Sequence, residues 1–375
     1  TGGPSYNQTA NSNGYTFGDL FVPGSTINSF RNDILRWEKQ LQFNAGFDLR
    51  LFSKVSFSAD YFDKRVDGLL FRDAAPLYAG TSIPVDANIG STKSQGFDLT
   101  LGYNDEFFDE LRFYADITFT TSKNIVTATN RDGTAFIPGG SFFNGQSQSV
   151  TRFEKGYTPG YFYGFKTEGL FQNYDEIANS PKQTGAVPGD IKFADLNDDN
   201  VINDLDKTKI GDPFPTFTSG INLGAEYKGI DFNIFTYISY GNDIYRAYER
   251  NAQYSNKFRN ILNRWTGEGT TNDARFPRYS FSDANSNIRV SDRYVEDGSF
   301  VKIKNIVLGY TLPKQWTQNF MVSSLRIYGQ VKNPLTLTRY TGYDPEIPGG
   351  ILDTGVDRGS YPQARTFSVG VDIRF

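Results

Sequence analysis

The feature that most constrains the fold is an alternation of apolar and polar side chains over unusually long segments. In residues 40–52 every second side chain is apolar, namely Leu41, Phe43, Ala45, Phe47, Leu49 and Leu51. Alternation with a period of two over such a length predicts a long β-strand. Strands of globular proteins average about 5–6 residues, whereas a tilted strand needs about 9–11 residues to cross a bilayer. The pattern therefore favours strands that cross a membrane.

The same pattern recurs along the chain. Further strands are predicted at residues 55–61, 97–103, 111–119, 161–171, 217–227, 230–240, 300–312, 325–337 and 366–375. Within residues 300–312 the apolar positions change parity between Ile303 and Ile306. A β-bulge near Lys304 and Asn305 would return both halves of that strand to one apolar face.

Composition excludes several chemistries. The 375 residues include no cysteine and no histidine, which removes disulfides, the usual zinc ligand and a Ser-His-Asp triad. The net charge is -4, so a broad basic surface for nucleic acid is not expected. No spacing singles out a pair of carboxylates for hydrolysis. We therefore expect no enzymatic activity and no catalytic residues.

The connections between the predicted strands alternate in length. Short connections are expected at residues 53–54, 104–110, 228–229 and 313–321, and long ones at 69–95, 124–148, 172–214, 242–298 and 338–363. Outer-membrane barrels have short periplasmic turns and long extracellular loops. The alternation is complete only if one more strand runs near residues 146–154, which brings the predicted number of strands to eleven.

Eleven is an odd number, and by this count the chain begins outside the cell. Bacterial single-chain barrels have an even number of strands. The prediction is therefore an all-β fold, a transmembrane antiparallel β-barrel of which this chain supplies about eleven strands. Residues 1–37 would form an extracellular loop region, and residues 38–375 the C-terminal half of the barrel. The strands at 40–52 and 366–375 would each pair with a strand outside this chain, because unpaired backbone is costly in lipid.

Seven segments carry further information: residues 188–206, 210–213, 217–223, 239–245, 300–313, 340–346 and 361–375. Together they resemble the SusC/RagA-type TonB-dependent transporters of Bacteroidetes. The resemblance extends from about Trp37 to Phe375 and is specific in the combination of these segments. It implies a barrel of about 22 strands, the number found in large outer-membrane transporters.

By this resemblance, the chain is part of an outer-membrane active transporter that imports bulky nutrients, either glycans or oligopeptides. The implied partners are a SusD-like surface lipoprotein, the N-terminal half of the barrel with its plug domain, and the TonB complex, which would be reached through the N-terminal region. Membrane lipid and lipopolysaccharide would contact the barrel wall.

Two other functions stay open. One is a passive outer-membrane pore or a surface receptor without energy coupling. The other is a soluble glycan-binding β protein, for example a sandwich. The repeated apolar strand faces, with no predicted helix to cover them, favour lipid as their partner.

The acidic segment at residues 195–206 has the spacing of a calcium-binding loop. Calcium takes 6–8 oxygen ligands, and the known twelve-residue loop supplies them from positions 1, 3, 5, 7, 9 and 12. The predicted ligands are Asp195, Asn197, Asp199, Asn203, Asp206 and the carbonyl oxygen of Val201. The usual glycine at position 6 and glutamate at position 12 are absent, and an acidic solvated loop without an ion is the alternative.

Aromatic residues outside the strands have two possible roles. Tyr245, Tyr248, Tyr254 and Tyr279 could stack on sugars, or they could pack the loops and contact a lid. Trp37, Tyr103, Tyr310 and Trp316 lie near predicted strand ends, where outer-membrane barrels carry girdles of aromatic residues. No residue is assigned to substrate binding from the sequence.

Overall fold

The computed structural model describes residues 5–8, 14–23, 25–29, 32–73, 85–108, 110–129, 136–143, 147–249, 257–280, 282–317 and 322–375. Its strands, in chain order, are β1 (Ser5–Gln8), β2 (Gly14–Phe17), β3 (Leu20–Pro23), β4 (Ser25–Ser29), β5 (Lys39–Leu51), β6 (Val55–Asp73), β7 (Val85–Phe107), β8 (Leu111–Thr129), β9 (Ile137–Phe143), β10 (Ser147–Phe153), β11 (Tyr161–Phe165), β12 (Thr167–Leu170), β13 (Ile191–Phe193), β14 (Lys207–Gly211), β15 (Phe217–Tyr227), β16 (Ile230–Tyr240), β17 (Asp243–Arg246), β18 (Val295–Asp297), β19 (Phe300–Thr311), β20 (Ser324–Thr338), β21 (Val356–Asp357) and β22 (Thr366–Arg374).

The described helices are short. They are α1 (Tyr174–Ala178), α2 (Lys314–Thr317) and single 3-10 turns at Asp204–Asp206, Arg259–Asn263 and Asp292–Tyr294. Across the described residues, none of these helices has the length and apolar character needed to span a membrane. The N-terminal region contains two small two-stranded sheets, β1 with β4 and β2 with β3.

Nine long strands form one antiparallel sheet in which each strand lies beside the preceding long strand of the chain. The order across the sheet is β5-β6-β7-β8-β15-β16-β19-β20-β22. This confirms nine of the predicted strands, from the one at residues 40–52 to the one at 366–375. The edge strands β5 and β22 do not pair with each other, so the sheet is open within the described part of the chain.

The register places whole rows of apolar residues on one face of this sheet. One row crosses all nine strands through Leu51, Val55, Tyr103, Ala115, Leu223, Ile234, Ile306, Val331 and Phe367. The adjacent row consists of Arg50, Ser56, Gly102, Asp116, Asn222, Phe235, Asn305, Lys332 and Thr366. Because successive side chains of a strand point to opposite faces, the sheet has one apolar face and one mainly polar face.

The apolar face is open to the surroundings. Leu101, Leu308 and Val369 are exposed there, and Val369 is exposed to 83%. In a soluble sandwich such residues would pack against a second sheet, and soluble monomers rarely expose a continuous apolar surface of this extent. Other apolar residues of the same face are likewise not buried; they are Leu49, Phe57, Phe119, Leu223 and Ile234.

The predicted β-bulge is confirmed. The pairing of β19 with both neighbours shifts between Ile303 and Asn305, which leaves Lys304 as the extra residue. At the other end of the sheet, β15 and β16 join through a two-residue turn in which Lys228 and Gly229 both have positive φ, of 49° and 83°. Such a turn matches the twist of antiparallel strands and fixes their register from Tyr227 opposite Ile230 onwards.

Two of the eleven predicted strands lie outside the large sheet. Residues 146–154 correspond to β10, in a four-stranded sheet of order β14-β11-β10-β9. Residues 161–171 form two strands, β11 in that same sheet and β12 paired with β13. Both segments fall in the single long connection between β8 and β15, so the alternation of short and long connections is retained with nine strands.

Three strands extend well beyond the predicted limits. β7 has 23 residues, and β6 and β8 have 19 each, so much of the predicted long connection at 69–95 is strand. At about 3.3 Å per residue, β7 is far longer than a tilted crossing of a hydrocarbon layer about 30 Å thick requires. The extra length lies at the end of the long connections, where the strands would project beyond the membrane.

Candidate functional site at the long-connection edge of the sheet

Three long connections fold together at one edge of the large sheet. They are residues 130–216, 241–299 and 339–365, and they carry all the small sheets from β9 to β21. A buried aromatic core joins them: Phe142 and Phe162 from the first connection pack with Tyr245 and Tyr294 from the second and Val356 from the third. β17 also pairs in parallel with β21 and antiparallel with β18. The connections therefore form a folded body with its own core.

The predicted loop tyrosines have different surroundings. Tyr245 is completely buried in the aromatic core, which supports the packing role for this residue. Tyr248 packs edge-on against Phe258, with ring centroids 5.2 Å apart, and Tyr248 and Tyr279 both line a cavity of about 210 Å³. Tyr254 lies outside the described residues.

A buried polar network ties the first connection to the second. The carboxylate of Asp190, which is fully buried, accepts hydrogen bonds from Arg278 at 2.6 Å and from the side-chain amide of Asn287 at 2.9 Å. Beside it, Trp265 of the second connection packs on the core formed by Phe165, Leu170, Ile191 and Phe193. A buried charge that is paired and hydrogen-bonded in this way holds its two segments in one arrangement.

The predicted calcium ligands lie in one tight turn. Asp198 and Asn200, at loop positions 4 and 6, have positive φ of 59° and 60°, and asparagine and aspartate tolerate this conformation better than other non-glycine residues. The amides of Asn197 and Asn203 both donate to one oxygen of Asp199, at 2.9 and 3.3 Å. The Asn203 amide also donates to the carbonyl oxygen of Val201 at 3.1 Å.

The first and the last side chain of the predicted ligand set, Asp195 and Asp206, accept hydrogen bonds from backbone N–H groups of the same loop. Asp195 accepts the N–H of Asn200 at 2.7 Å through Oδ2, while its buried Oδ1 has no hydrogen-bond partner. The buried Asp206 accepts the N–H groups of Leu196 and Asn203, at 2.9 and 2.7 Å. Among the described residues, no three acidic side chains are arranged to hold a metal ion. Five of the six predicted ligands share one hydrogen-bond network, and Asp195 joins the loop through the N–H of Asn200; they are Asn197, Asp199, Val201, Asn203 and Asp206.

A second charged network, which sequence reasoning did not find, fastens the third connection to the wall of the sheet. Lys302 of β19 is 1% exposed, and its Nζ lies 3.0 Å from Asp344 and 2.6 Å from Glu346. Lys304, the bulge residue, also pairs with Glu346. We call Lys302, Lys304, Asp344 and Glu346 the latch. Two segments that resemble the transporter family, 300–313 and 340–346, thus meet through their charged residues.

Ion pairs also cross the polar face of the sheet. Arg326 of β20 pairs with Asp231 of β16 at 2.6 Å and with Asp372 of β22 at 3.1 Å. Charged residues that pair on this face suit a water-filled interior, because large barrels enclose an aqueous lumen.

Comparisons with known proteins agree with this architecture. Residues 2–198 match the sequence profile of the family described as TonB dependent receptor-like, beta-barrel. TonB-dependent receptor P3 of Formosa agariphila is 32% identical over an alignment that covers 96% of this chain and 36% of that protein. TonB-dependent receptor SusC of Bacteroides thetaiotaomicron is 26% identical, over 96% of this chain and 34% of that protein. The chain thus spans about a third of the length of these relatives.

The solved structure of the RagAB peptide transporter shares the fold, with a TM-score of 0.76 and 22% identity over 99% of this chain and 38% of that chain. The RagAB peptide importer in its open-open state matches with a TM-score of 0.74 and 23% identity. These two likenesses concern the fold alone. The profile match covers more than half of the chain and includes β5 to β8, four strands of the sheet whose apolar face suits lipid. The chain therefore belongs to the TonB dependent receptor-like β-barrel family of the bacterial outer membrane.

Proposed function

We propose that this chain is part of an outer-membrane TonB-dependent active transporter that imports bulky nutrients, either glycans or oligopeptides, together with a SusD-like surface lipoprotein. The observation that supports this most is the folded body of three long connections at one edge of a lipid-facing sheet. A body with its own core presents a fixed surface to a large substrate and to a partner. A passive pore needs only a water-filled lumen and would not require such a folded body outside the membrane.

The open edges of the sheet suggest where the rest of the barrel joins. The free sides of β5 and β22 have no partner strand among the described residues, and unpaired backbone groups cost several kcal/mol each in hydrocarbon. We propose that the N-terminal half of the barrel, with its plug domain, pairs with these two strands. Coupling to the TonB complex would run through the N-terminal region.

The connections at residues 172–214 and 242–298 are proposed to form part of the surface that meets the lipoprotein. Arg278 and Asp190 hold them together, so a partner would contact them as one surface. The partner should co-purify with the protein from detergent extracts. Shortening the connection at 242–298 should abolish co-purification while the barrel still migrates as a folded band on unheated gels. Unchanged co-purification would remove this connection from the interface.

Uptake by living cells tests the proposed energy coupling. Cells that produce the full-length protein should accumulate the nutrient, and a protonophore or loss of TonB should reduce uptake to the level of cells without the protein. Uptake that persists after either treatment would support the passive pore instead. Recovery of the protein in the soluble fraction would support the soluble glycan-binding alternative.

We also propose that a calcium ion orders the acidic loop, held by Asp195, Asn197, Asp199, Asn203, Asp206 and the carbonyl of Val201. The buried Oδ1 of Asp195 without a partner supports this, because such atoms are rare unless an ion or water satisfies them. The hydrogen bond from the Asn197 amide lowers the pKa of Asp199, so its carboxylate is ionised at neutral pH. On ion binding, the Asn197 and Asn203 side chains would exchange their present hydrogen bonds to Asp199 and Leu205 for contacts of their oxygens with the cation. No nitrogen or sulfur ligand would compete.

Calcium titration of the purified protein tests this site. Extracellular calcium modules bind with Kd values of about 0.1–1 mM, and we expect saturable binding of one ion in that range. Asp195→Ala and Asp199→Ala should each abolish it, because each removes a charged ligand. Asp175→Ala, on the exposed first turn of α1, is the matched control and should bind as wild type. Absence of binding to wild type at millimolar calcium would establish the acidic loop without an ion.

A further inference from the structure

A groove of about 820 Å³ lies between the small sheet β14-β11-β10-β9 and the segment 283–290 of the second connection. Both walls belong to long connections, so under the proposed transport function the groove is on the extracellular side. Phe165, whose backbone N–H donates to the carbonyl oxygen of Val290 at 2.9 Å, joins the two walls.

Cations in the groove lie against aromatic rings. The guanidinium carbon of Arg152 is 3.6 Å from the ring centre of Phe136 and 3.3 Å from that of Tyr163, so the guanidinium lies between two rings. Arg289 lies over Phe165 and Phe193, at 4.9 and 4.5 Å. Stacking of this kind holds the flat arginine head in one orientation, and its N–H groups then point outward along its edge.

The two arginines keep hydrogen-bonding capacity. Within the described residues, the carboxylate that contacts Arg152 is Glu154 at 3.4 Å, and that oxygen already accepts the hydroxyl of Tyr161 at 2.5 Å. Arg289 has no carboxylate within ion-pair distance in the described chain and donates to the carbonyl oxygens of Ser286 and Asn285.

The acidic residues of the groove are already engaged. Asp204 pairs with Lys207 at 2.8 Å, and Asp283 accepts the backbone N–H groups of Asn287 and Ile288, at 2.8 and 3.0 Å. The described lining carries three cations, Arg152, Lys207 and Arg289, against the two carboxylates, so the groove has a net positive charge that favours an anion. A pre-oriented guanidinium edge matches the two oxygens of a carboxylate or a sulfate.

The remaining lining suits a sugar better than a peptide. Phe136 is 43% exposed, so its ring offers a flat apolar surface to the C–H face of a sugar ring. Neutral hydroxyl and amide groups, supplied by Gln148, Ser149 and Ser286, line the groove beside the rings and can hydrogen-bond to sugar hydroxyls. The groove offers polar groups spread among flat rings, rather than a deep apolar recess for a peptide side chain.

We propose that this groove binds an acidic oligosaccharide, with Arg152 and Arg289 receiving its carboxylate or sulfate groups and the aromatic rings supporting its sugar rings. The proposal rests on the proposed transport function and narrows its substrate class from glycans or oligopeptides to charged glycans.

Binding to the purified full-length protein in detergent tests the proposal by calorimetry. The probes are tetragalacturonate, a sulfated galactan tetrasaccharide, neutral cellotetraose and tetra-aspartate. We expect at least one acidic saccharide to bind more tightly than cellotetraose and tetra-aspartate, with an affinity that falls as salt is raised. Preference for galacturonate identifies the anionic group as a carboxylate, and preference for the galactan identifies it as a sulfate.

Variants then assign the binding to the groove. Arg152→Met and Arg289→Met should each weaken binding about 10-fold or more, since each removes a charge-assisted hydrogen bond. Arg152→Lys, which keeps the charge, should also weaken it because an ammonium cannot form the two-pronged contact. Arg72→Met is the matched control: Arg72 is an exposed arginine of β6 paired with Asp86 at 3.8 Å, and its loss should leave affinity unchanged.

Three results would overturn the proposal: no acidic saccharide binds at millimolar concentration, cellotetraose or tetra-aspartate binds at least as tightly, or both methionine variants bind as wild type. Binding in detergent does not require TonB. Failure here with energised uptake intact would therefore reject the groove and leave the transport function standing.

Discussion

Lys302→Met is expected to destabilise the third connection by about 3–5 kcal/mol, the cost of leaving buried charges without their partner. Lys302 is 1% exposed and lies between the carboxylates of Asp344 and Glu346. Methionine fills a similar volume but cannot donate a hydrogen bond, so two carboxylates would stay desolvated and repel each other. The region around β21, which pairs with β17, should lose protection against amide hydrogen exchange.

Two further variants separate this effect from simple loss of packing. Lys304→Met removes a more exposed cation of the latch, whose side chain is 23% exposed, and should cost about 0–1 kcal/mol. Combining Lys302→Met with Asp344→Asn and Glu346→Gln removes the stranded charges and should recover much of the lost stability. If Lys302→Met costs no more than Lys304→Met, the latch does not hold the connection.

Leu101→Arg is expected to destabilise the barrel in lipid by about 2–4 kcal/mol, the cost of an arginine on the lipid face near the bilayer midplane. Leu101 lies in the apolar row that also contains Leu49, Phe57, Ile117 and Ile221. This row lies between the aromatic ends of β15, formed by Phe217 and Tyr227. Urea titration of the full-length protein folded into lipid vesicles measures the free energy of unfolding.

The adjacent residue provides the control. Thr100 precedes Leu101 on β7 and pairs with Ser58 and Thr118 on the polar face. Thr100→Arg adds the same side chain at almost the same depth but into the interior, and it should change the free energy of unfolding by less than about 1 kcal/mol. Equal costs for the two substitutions would mean that the faces do not differ in their surroundings.

The membrane-spanning part of the fold was predictable from the sequence. A strand with lipid on one side and water on the other must alternate apolar and polar side chains along its whole length. The alternation identified nine strands of the large sheet and, through the change of parity after Ile303, the bulge at Lys304. The extensions of β6 and β7 were missed because there the strands pack on the body of long connections, as Phe71 does on Phe153 and as the buried Ala87 and Ile89 show, and a strict alternation is no longer required.

The body of long connections was less accessible from the sequence. Residues 161–165 are aromatic-rich and were predicted as a strand of the barrel, yet one face of β11 packs on the aromatic core and the other lines the groove. The pattern of side chains along a segment indicates that it forms a strand, but it does not indicate which sheet that strand joins. The latch was invisible for a related reason: Lys302 and Asp344 are 42 residues apart, and only tertiary structure brings them together.

The acidic loop was predictable from the sequence only in part. Its spacing predicted a calcium-binding loop, and the structure gives the loop positive φ at Asp198 and Asn200 and hydrogen bonds between its side chains and its backbone. The calcium ion stays a prediction, because the free energy of ion binding is not determined by spacing alone.

The central claim, that the nine-stranded sheet is the wall of a membrane barrel, is tested most directly by a nitroxide scan of β8. The chain contains no cysteine. A single cysteine introduced in turn at each position from 113 to 120 therefore gives this chain one thiol for attachment of the nitroxide. In outer-membrane vesicles, collision with oxygen, which concentrates in lipid, should peak at Phe113, Ala115, Ile117 and Phe119. Collision with a water-soluble nickel complex should be lower there than at Tyr114, Asp116, Thr118 and Thr120. Accessibility without this period of two, or with the opposite phase, would contradict the account.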